Sequence, residues 1–445
     1  MTSVAFEGEL PLAQLPNSLR TLATLERFHL HLPEMFQDTS RDPSFDTRFF
    51  PQHCGVFRLP CFWVPSASLY VFGGKQDSDE LSLFRETPAR AEAMIAVHPA
   101  SLGRFKQFLE NVGARDVADD GRRIWAAPTS STRTLLVWPD GAPDEVLFIK
   151  TSLYSPIFGD RRLRTTDVAR STSLSALMDE LRSSLPSTLD YLPERVGVVP
   201  RCIQDGGMIA RSIPRMLKNN EIAVAPLFAL FGGAPVRTPL LLTLLQNRDC
   251  EPLRFVEDAI SAPFTRMWLH MSLKCGLLLE AHSQDLLIAF STDMAPLRRF
   301  YYRDFEGMQV DWELRRSLGL STPAELPRAW CWEESNRPTV PYGYSNWFLV
   351  YTSLFHFVDA VVRQTEISLR EWWKLGLLPG PRVREGDVTA VFSSHMNAAV
   401  EEMFGARWRP RYDACASPNR FVRELMRLRA ELVSPSRRRS TQYPC

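Results

Sequence analysis

The chain has 445 residues, 45 % of them hydrophobic and 23 % charged, and a formal net charge of +1; that length buries a large core and suits two or three domains. The near-neutral balance argues against a general nucleic-acid binder, which carries a basic excess to neutralise phosphates, but leaves room for a local anion site. Eight cysteines form no CxxC pair, the opening residues lack the basic-then-apolar order of a secretory leader, and no apolar run reaches the roughly 20 residues of a membrane-spanning helix; a cytoplasmic protein with free thiols, no nucleic acid and no membrane is expected.

In chain order, residues 58–64 and 68–72 read as two short strands, the second ended by Gly73-Gly74. Strand-like pieces follow at 94–97, 134–138 and 146–149, with a short helix at 104–112 and a hairpin turn at Asp140-Gly141. A helix is expected over 174–185, capped by Ser171, Thr172 or Ser173. An apolar run occupies 226–234. Beyond residue 237 helical periodicity dominates, at 264–280 and 347–373, interrupted by a hairpin built from 286–290 and 300–305. The basic end, 434–440, is expected to be a disordered tail.

Four constellations carry candidate chemistry. Thr129, Ser130, Ser131 and Thr132 set four hydroxyls beside Arg133, whose fork of charged donors suits phosphate oxygens; a plain hydroxyl-rich surface loop has the same composition. The GxxxxGK[ST] and GxGxxG loops are both absent, so a nucleotide site here has to be built differently. Lys150 ends an apolar strand, with Arg161, Arg162 and Arg164 downstream, and these cations either approach one polyphosphate or form a solvated basic edge. Glu280, His282 and Gln284 fall where a helical pattern gives way to a strand, a junction that can aim all three into a cleft, although a hydrogen-bonded structural histidine is the plainer reading. Asp304 can hold magnesium or orient His282, and Arg303 can meet a phosphate or a carboxylate; as a pair at a turn they can equally be a structural ion pair.

Taken in order, these pieces resemble the IucA/IucC family of non-ribosomal-peptide-synthetase-independent siderophore synthetases. Ala96-Val97-His98-Pro99 is similar to the family's apolar-His-Pro element, and Thr129 to Thr134 to its Thr/Ser-Arg-Thr phosphate loop. Lys150 and Arg162 match its lysine-to-arginine spacing, with Ile157-Phe158 where Ile-Thr is customary. Gly276 to Asp285 follows Gly-x-x-Leu-Glu-x-His-x-Gln-Asn, and Arg303-Asp304-Phe305-Glu306-Gly307 follows Arg-Asp-Phe-Gln-Gly. A weaker likeness reaches Phe355-His356-Phe357. Three features depart from the pattern. Only 97 residues precede His98, no HPxHPxxK element lies upstream, and Asp285 replaces the usual asparagine.

The resemblance implies a mixed α/β (α+β), hand-like fold: a reduced thumb at 1–90, a sheet-containing fingers domain at 91–236, and a helix-rich palm at 237–445. ATP would lie between fingers and palm. It implies an AMP-forming carboxylate–amine ligase that adenylates a small, citrate-like polycarboxylate and condenses it with an amine, hydroxylamine or amino acid in siderophore biosynthesis. His282, Arg162 and Lys150 are the expected catalytic residues. Thr129, Ser131, Thr132, Arg133, Lys150, Arg162, Glu280, His282, Gln284 and Asp304 are the expected ATP contacts, and Glu280 and Asp304 the expected Mg2+ ligands. A homodimer is the assembly considered. Two rivals stand beside this reading: a kinase-like phosphotransferase, which leaves ADP rather than AMP, and a non-catalytic binding or scaffold relative.

Overall fold

The computed structural model describes residues 10–26, 49, 51, 55–73, 91–154, 162–232, 238–248, 250–321, 331–332, 354–378, 380–405, 408 and 410–433. Along the chain the strands are β1 Phe57–Arg58, β2 Cys61–Pro65, β3 Leu69–Gly73, β4 Glu92–Ala96, β5 Arg115–Asp116, β6 Ile124–Pro128, β7 Thr134–Pro139, β8 Leu147–Thr151 and β9 Leu189–Tyr191. They continue with β10 Glu194–Pro200, β11 Met208–Arg211, β12 Ile222–Pro226, β13 Leu277–Leu278, β14 Leu286–Ser291, β15 Pro296–Tyr302, β16 Gln309–Asp311 and β17 Cys331–Trp332.

A seven-stranded antiparallel sheet runs β1-β6-β7-β8-β11-β10-β3. Strands β6, β7, β8 and β11 are buried at every position, so the sequence shows apolar runs instead of alternation. The period of two still sorts their side chains. Leu135, Val137, Leu147 and Ile149 face a cluster with Trp63, Ile95 and Phe105, whereas Leu136, Trp138 and Phe148 face the opposite way, onto Leu19, Leu22, Leu287 and Tyr301. On the first face lie the small sheet β4-β2-β5 and the helix α1 Leu102–Asn111. On the second lie a shorter N-terminal helix, Asn17–Leu25, and a four-stranded sheet, β12-β14-β15-β9. That sheet is two-sided too. Ile288, Phe290, Phe300 and Tyr302 point away from the larger sheet, into a core with Phe264, Phe357 and Phe392 from the C-terminal helices. The layers therefore stack small sheet, large sheet, middle sheet and helices.

The two sheets join what the sequence reading divides at 91 and 237. Strands β1 and β3 belong to the large sheet with β6, β7, β8, β10 and β11, and β9 and β12 flank the β14–β15 hairpin. Both boundaries thus fall inside sheet units. The hairpin itself forms as expected, with Leu286 opposite Tyr302 and Ile288 opposite Phe300. Strands β7 and β8 also pair, but a 3-10 turn at Pro143–Glu145 lengthens the connection beyond Asp140-Gly141. The 58–64 piece splits at Leu59-Pro60 into β1 and β2, which enter different sheets.

Two helices differ from expectation, and a third is described only in part. The first, α2 Thr165–Glu180, begins well before residue 174, so Ser171 to Ser173 lie inside it, where Thr172 Oγ1 donates back to Val168 O. Its cap is at Arg164, with Asp167 at the third position. The helix packs on β10 and β3 because Gly197 and Gly207 let it approach; a Cβ on Gly197 would come 2.2 Å from Val168 Cγ1. The second, α3 Ala262–Leu269, continues through a π-helical turn, His270–Lys274, and stops short of 280. Gly276 ends it at φ +60°, after which Leu277–Leu278 is strand β13. In the third, helical structure is described from residue 354, through the π-helical Val358–Arg363 into α4 Gln364–Lys374; residues 347–353, like Arg161 and the tail at 434–440, lie outside the described residues.

Candidate functional site

The loop from Thr129 to Arg133 joins β6 to β7, and its hydroxyls first shape the loop itself. Thr129 Oγ1 donates to Thr134 O at 2.8 Å, Ser131 Oγ accepts from the Thr134 N–H at 3.0 Å, and Thr132 turns the chain at φ +62°. The Thr129 proton is therefore committed, and the Ser131 hydroxyl is left to donate to Thr129 Oγ1 across 3.4 Å, a long contact that a better acceptor can replace. Ser130 lies deeper. Its N–H and hydroxyl both donate to Glu26 Oε2, at 3.1 and 2.7 Å, and its Oγ accepts from Gln284 Nε2 at 2.9 Å. The other Glu26 oxygen takes Arg303 Nη1 at 2.5 Å, and Arg303 Nε donates to Gln284 O at 3.0 Å. Glu26, Ser130, Gln284 and Arg303 thus close a buried ring from four separate segments.

Lys150 sits in β8 between Thr134 of β7 and Ile209 of β11, with its side chain only 2 % exposed. Its Nζ reaches Asp304 Oδ1 at 2.6 Å and Glu306 Oε2 at 2.7 Å, and Arg133 Nη2 meets the same Glu306 oxygen at 3.4 Å. Burial works to lower the lysine pKa, but Asp304 and then Glu306 outweigh it and hold the value above normal. Both partners are displaced oppositely. Burial acts to raise Asp304 and Glu306, yet Lys150 and the neighbouring arginines bring both below the usual carboxylate range. Asp304 adopts φ +75°, a left-handed conformation that a non-glycine residue holds only when its surroundings fix it.

The stretch 279–285 lies between β13 and β14 as a compact turn, with the His282 N–H on Glu280 O and the Asp285 N–H on His282 O. His282 Nδ1 accepts the Gln284 N–H at 3.2 Å, which leaves the ring proton of a neutral imidazole on Nε2. The ring lies edge-on to His356, 5.8 Å between centroids. Glu280 reaches the other turn, at Gly307, where a Cβ would come 1.7 Å from Glu280 Oε2. Burial, followed by the charge of Asp304, raises the Glu280 pKa. Burial, Asp304 and Glu280 together push Asp285 well above the normal range.

The geometry therefore gathers Arg133, Glu280, Asp304 and Glu306 around Lys150, while Ser130 and Gln284 belong to the Glu26 ring, which Arg303 joins to Asp304 along the chain. Arg162 has a side chain 41 % exposed and pairs with Asp205 at 2.9 Å, beside the Tyr154 hydroxyl. His98 is buried and caps the turn Pro99–Ser101 through Nδ1, with burial lowering its pKa to about 3. Among the described residues, no three His, Cys, Asp or Glu side chains converge as a ready-made metal site. Glu280 and Asp304 lie close enough for the charge of Asp304 to act on Glu280, and one oxygen of Asp304 is held by Lys150. Reading the sequence missed Glu26. The signal available was an acid at the end of an amphipathic helix, where the helix dipole disfavours it unless another group compensates.

No family model matches the chain, and no curated protein matches its sequence. Solved structures do match. Aerobactin synthetase IucC from a hypervirulent pathotype of Klebsiella pneumoniae aligns with a TM-score of 0.61 at 15 % identity, over 85 % of this chain and 72 % of its own. The petrobactin biosynthesis protein AsbB from Bacillus anthracis gives 0.57 at 15 % identity, over 82 % and 64 %. ATP-bound aerobactin synthetase IucA from Klebsiella pneumoniae gives 0.58 at 16 % identity, over 88 % and 77 %. The mixed α/β, hand-like fold inferred from the sequence is borne out, and the resemblance holds at the level of the fold. No helix among the described residues is long and apolar enough to cross a membrane.

Proposed function

We propose that the chain is an ATP-dependent, AMP-forming ligase of the siderophore-synthetase type. The observation that carries this reading is the Lys150 centre: three segments singled out in the sequence, 129–133, 280–284 and 303–307, meet around it in a fold shared with solved synthetases, one of them ATP-bound. Arg133 and Lys150 would take phosphate oxygens, with the Ser131 hydroxyl as a neutral donor. Their positive charge lowers the repulsion between an attacking carboxylate and the nucleotide, and stabilises the charge that develops on phosphorus. His282, with its proton on Nε2, would donate to the reacting phosphoryl or acyl oxygen. Gln284 orients the loop through Ser130, and Thr129 and Thr132 hold its shape. When bound, Mg2+ at Glu280 and Asp304 would neutralise phosphate charge. Arg162 enters only by leaving Asp205, which makes it a secondary contact in this reading.

The acid is proposed to be a small polycarboxylate of the citrate type, and its acceptor an amine, hydroxylamine or amino acid. The experiment is acid-dependent pyrophosphate release, with AMP and ADP resolved, across mono-, di- and tricarboxylates. AMP and pyrophosphate with a di- or tricarboxylate support the proposal. ADP would indicate a phosphotransferase, and binding of ATP with neither product a non-catalytic relative. Exclusive use of an apolar monocarboxylate would reject the substrate class.

A further inference from the structure

Lys150 and Arg133 are not free to receive a phosphate, because a carboxylate already lies between them. One oxygen of Glu306 stands 2.7 Å from Lys150 Nζ and 3.4 Å from Arg133 Nη2. A single anionic oxygen shared by a lysine and an arginine is the contact that phosphate oxygens commonly make. The second partner of Lys150 is less easily moved. Asp304 lies on a backbone held at φ +75°, its short side chain bonds Lys150 at 2.6 Å, and its carbonyl accepts from the Tyr302 hydroxyl. Glu306 has a longer side chain, 30 % exposed, on the 3-10 turn Phe305–Gly307, so it can swing outward without moving the backbone. Lys150, at 2 % exposure, has no such freedom.

We propose that Glu306 is the resident counter-ion of the phosphate site: its carboxylate occupies an anionic-oxygen position between Lys150 and Arg133, and polyphosphate binds by displacing it. This rests on the reading of Lys150 and Arg133 as phosphate ligands. The consequence is a site that stays charge-balanced when empty and binds polyphosphate more weakly than its two cations alone would. A weak hold suits a reaction that has to let pyrophosphate go. Once displaced, the carboxylate stands at the rim and repels a second polyanion.

The test is calorimetric binding of inorganic pyrophosphate and of ATP, both in excess EDTA, to the full chain carrying Glu306→Gln, Glu306→Ala or Lys150→Met, with a thermal melt of each. Both Glu306 variants are expected to bind pyrophosphate at least about tenfold tighter than the wild type, since two charge-assisted contacts no longer have to be broken. Glu306→Asp, which keeps the charge on a shorter arm, should fall between them and the wild type, and carries the test if the other two fail to fold. Lys150→Met should bind more weakly than the wild type. Unchanged or weaker binding by the Glu306 variants, with Lys150→Met impaired, overturns the counter-ion role alone. Wild-type affinity in Lys150→Met overturns the phosphate assignment beneath it.

Discussion

Replacing Glu26 with alanine tests whether the N-terminal helix is part of the site. The Glu26 side chain is 1 % exposed and that of Arg303 is 4 %, so truncation strands a buried guanidinium. Breaking such a pair from one side costs about 3–5 kcal/mol. The Ser130 N–H and hydroxyl lose their acceptor as well, at about 1–3 kcal/mol if water does not replace it. Glu26→Gln keeps the shape and one acceptor, and should cost less than alanine. The pair Glu26→Ala with Arg303→Met removes both charges and should recover much of the loss, giving a coupling of at least about 2 kcal/mol. Urea denaturation followed by tryptophan fluorescence reads this directly, because Trp125 and Trp138 pack in the same cluster as the helix. Nucleotide affinity should fall together with stability, since Ser130 also anchors Gln284. A Glu26→Ala protein within about 0.5 kcal/mol of wild type would refute the argument.

Three further outcomes follow from the site. Asp285 holds its proton more tightly when folded than its ordinary value of 3.8, so its contribution to stability is complete below that value and is lost as pH rises through the folded pKa. Asp285→Asn should flatten that decline, and denaturation midpoints from about pH 4 to 9 that run parallel in the two proteins would count against it. Gly307→Ala drives a methyl into the Glu280 carboxylate and should cost about 1–3 kcal/mol, with weakened ATP binding measured by calorimetry. His282→Ala should reduce acid-dependent pyrophosphate release by roughly 100–1,000-fold while its thermal melt stays near wild type, as expected for a contact made mainly in the transition state. Near-wild-type release would remove His282 from the reaction.

What could be read from the sequence was local. The β14–β15 hairpin was legible because apolar runs flank the polar turn at Ser291 to Met294, and the helix at 104–112 because Phe105, Phe108 and Leu109 share one face. The helix over 264–280 was read too long because the leucines after Gly276 continue its apolar pattern; the positive φ at that glycine decides the matter, and periodicity carries no trace of it. Lys150 and Asp304 could be named as candidates, but not as partners 154 positions apart. The same limit hid Glu26, whose partner Arg303 lies 277 positions downstream. Arg162 likewise pairs with an acid, Asp205, 43 positions downstream, that its spacing from Lys150 does not reveal.

The middle sheet has an order of assembly written into it. Strands β9 and β12 leave the ribosome first, yet each takes its partner from the hairpin that separates them, in the order β12-β14-β15-β9. From the end of β12 at Pro226 to the end of β15 at Tyr302, translation takes roughly 4–15 s. During that interval β9 and β12 present unpaired backbone edges, and Ala225, which the finished protein buries in the core it shares with the C-terminal helices, lacks those helices. A nascent chain of this fold therefore needs shelter at a definite length, and slowing translation between residues 226 and 302 should increase its aggregation more than a pause elsewhere.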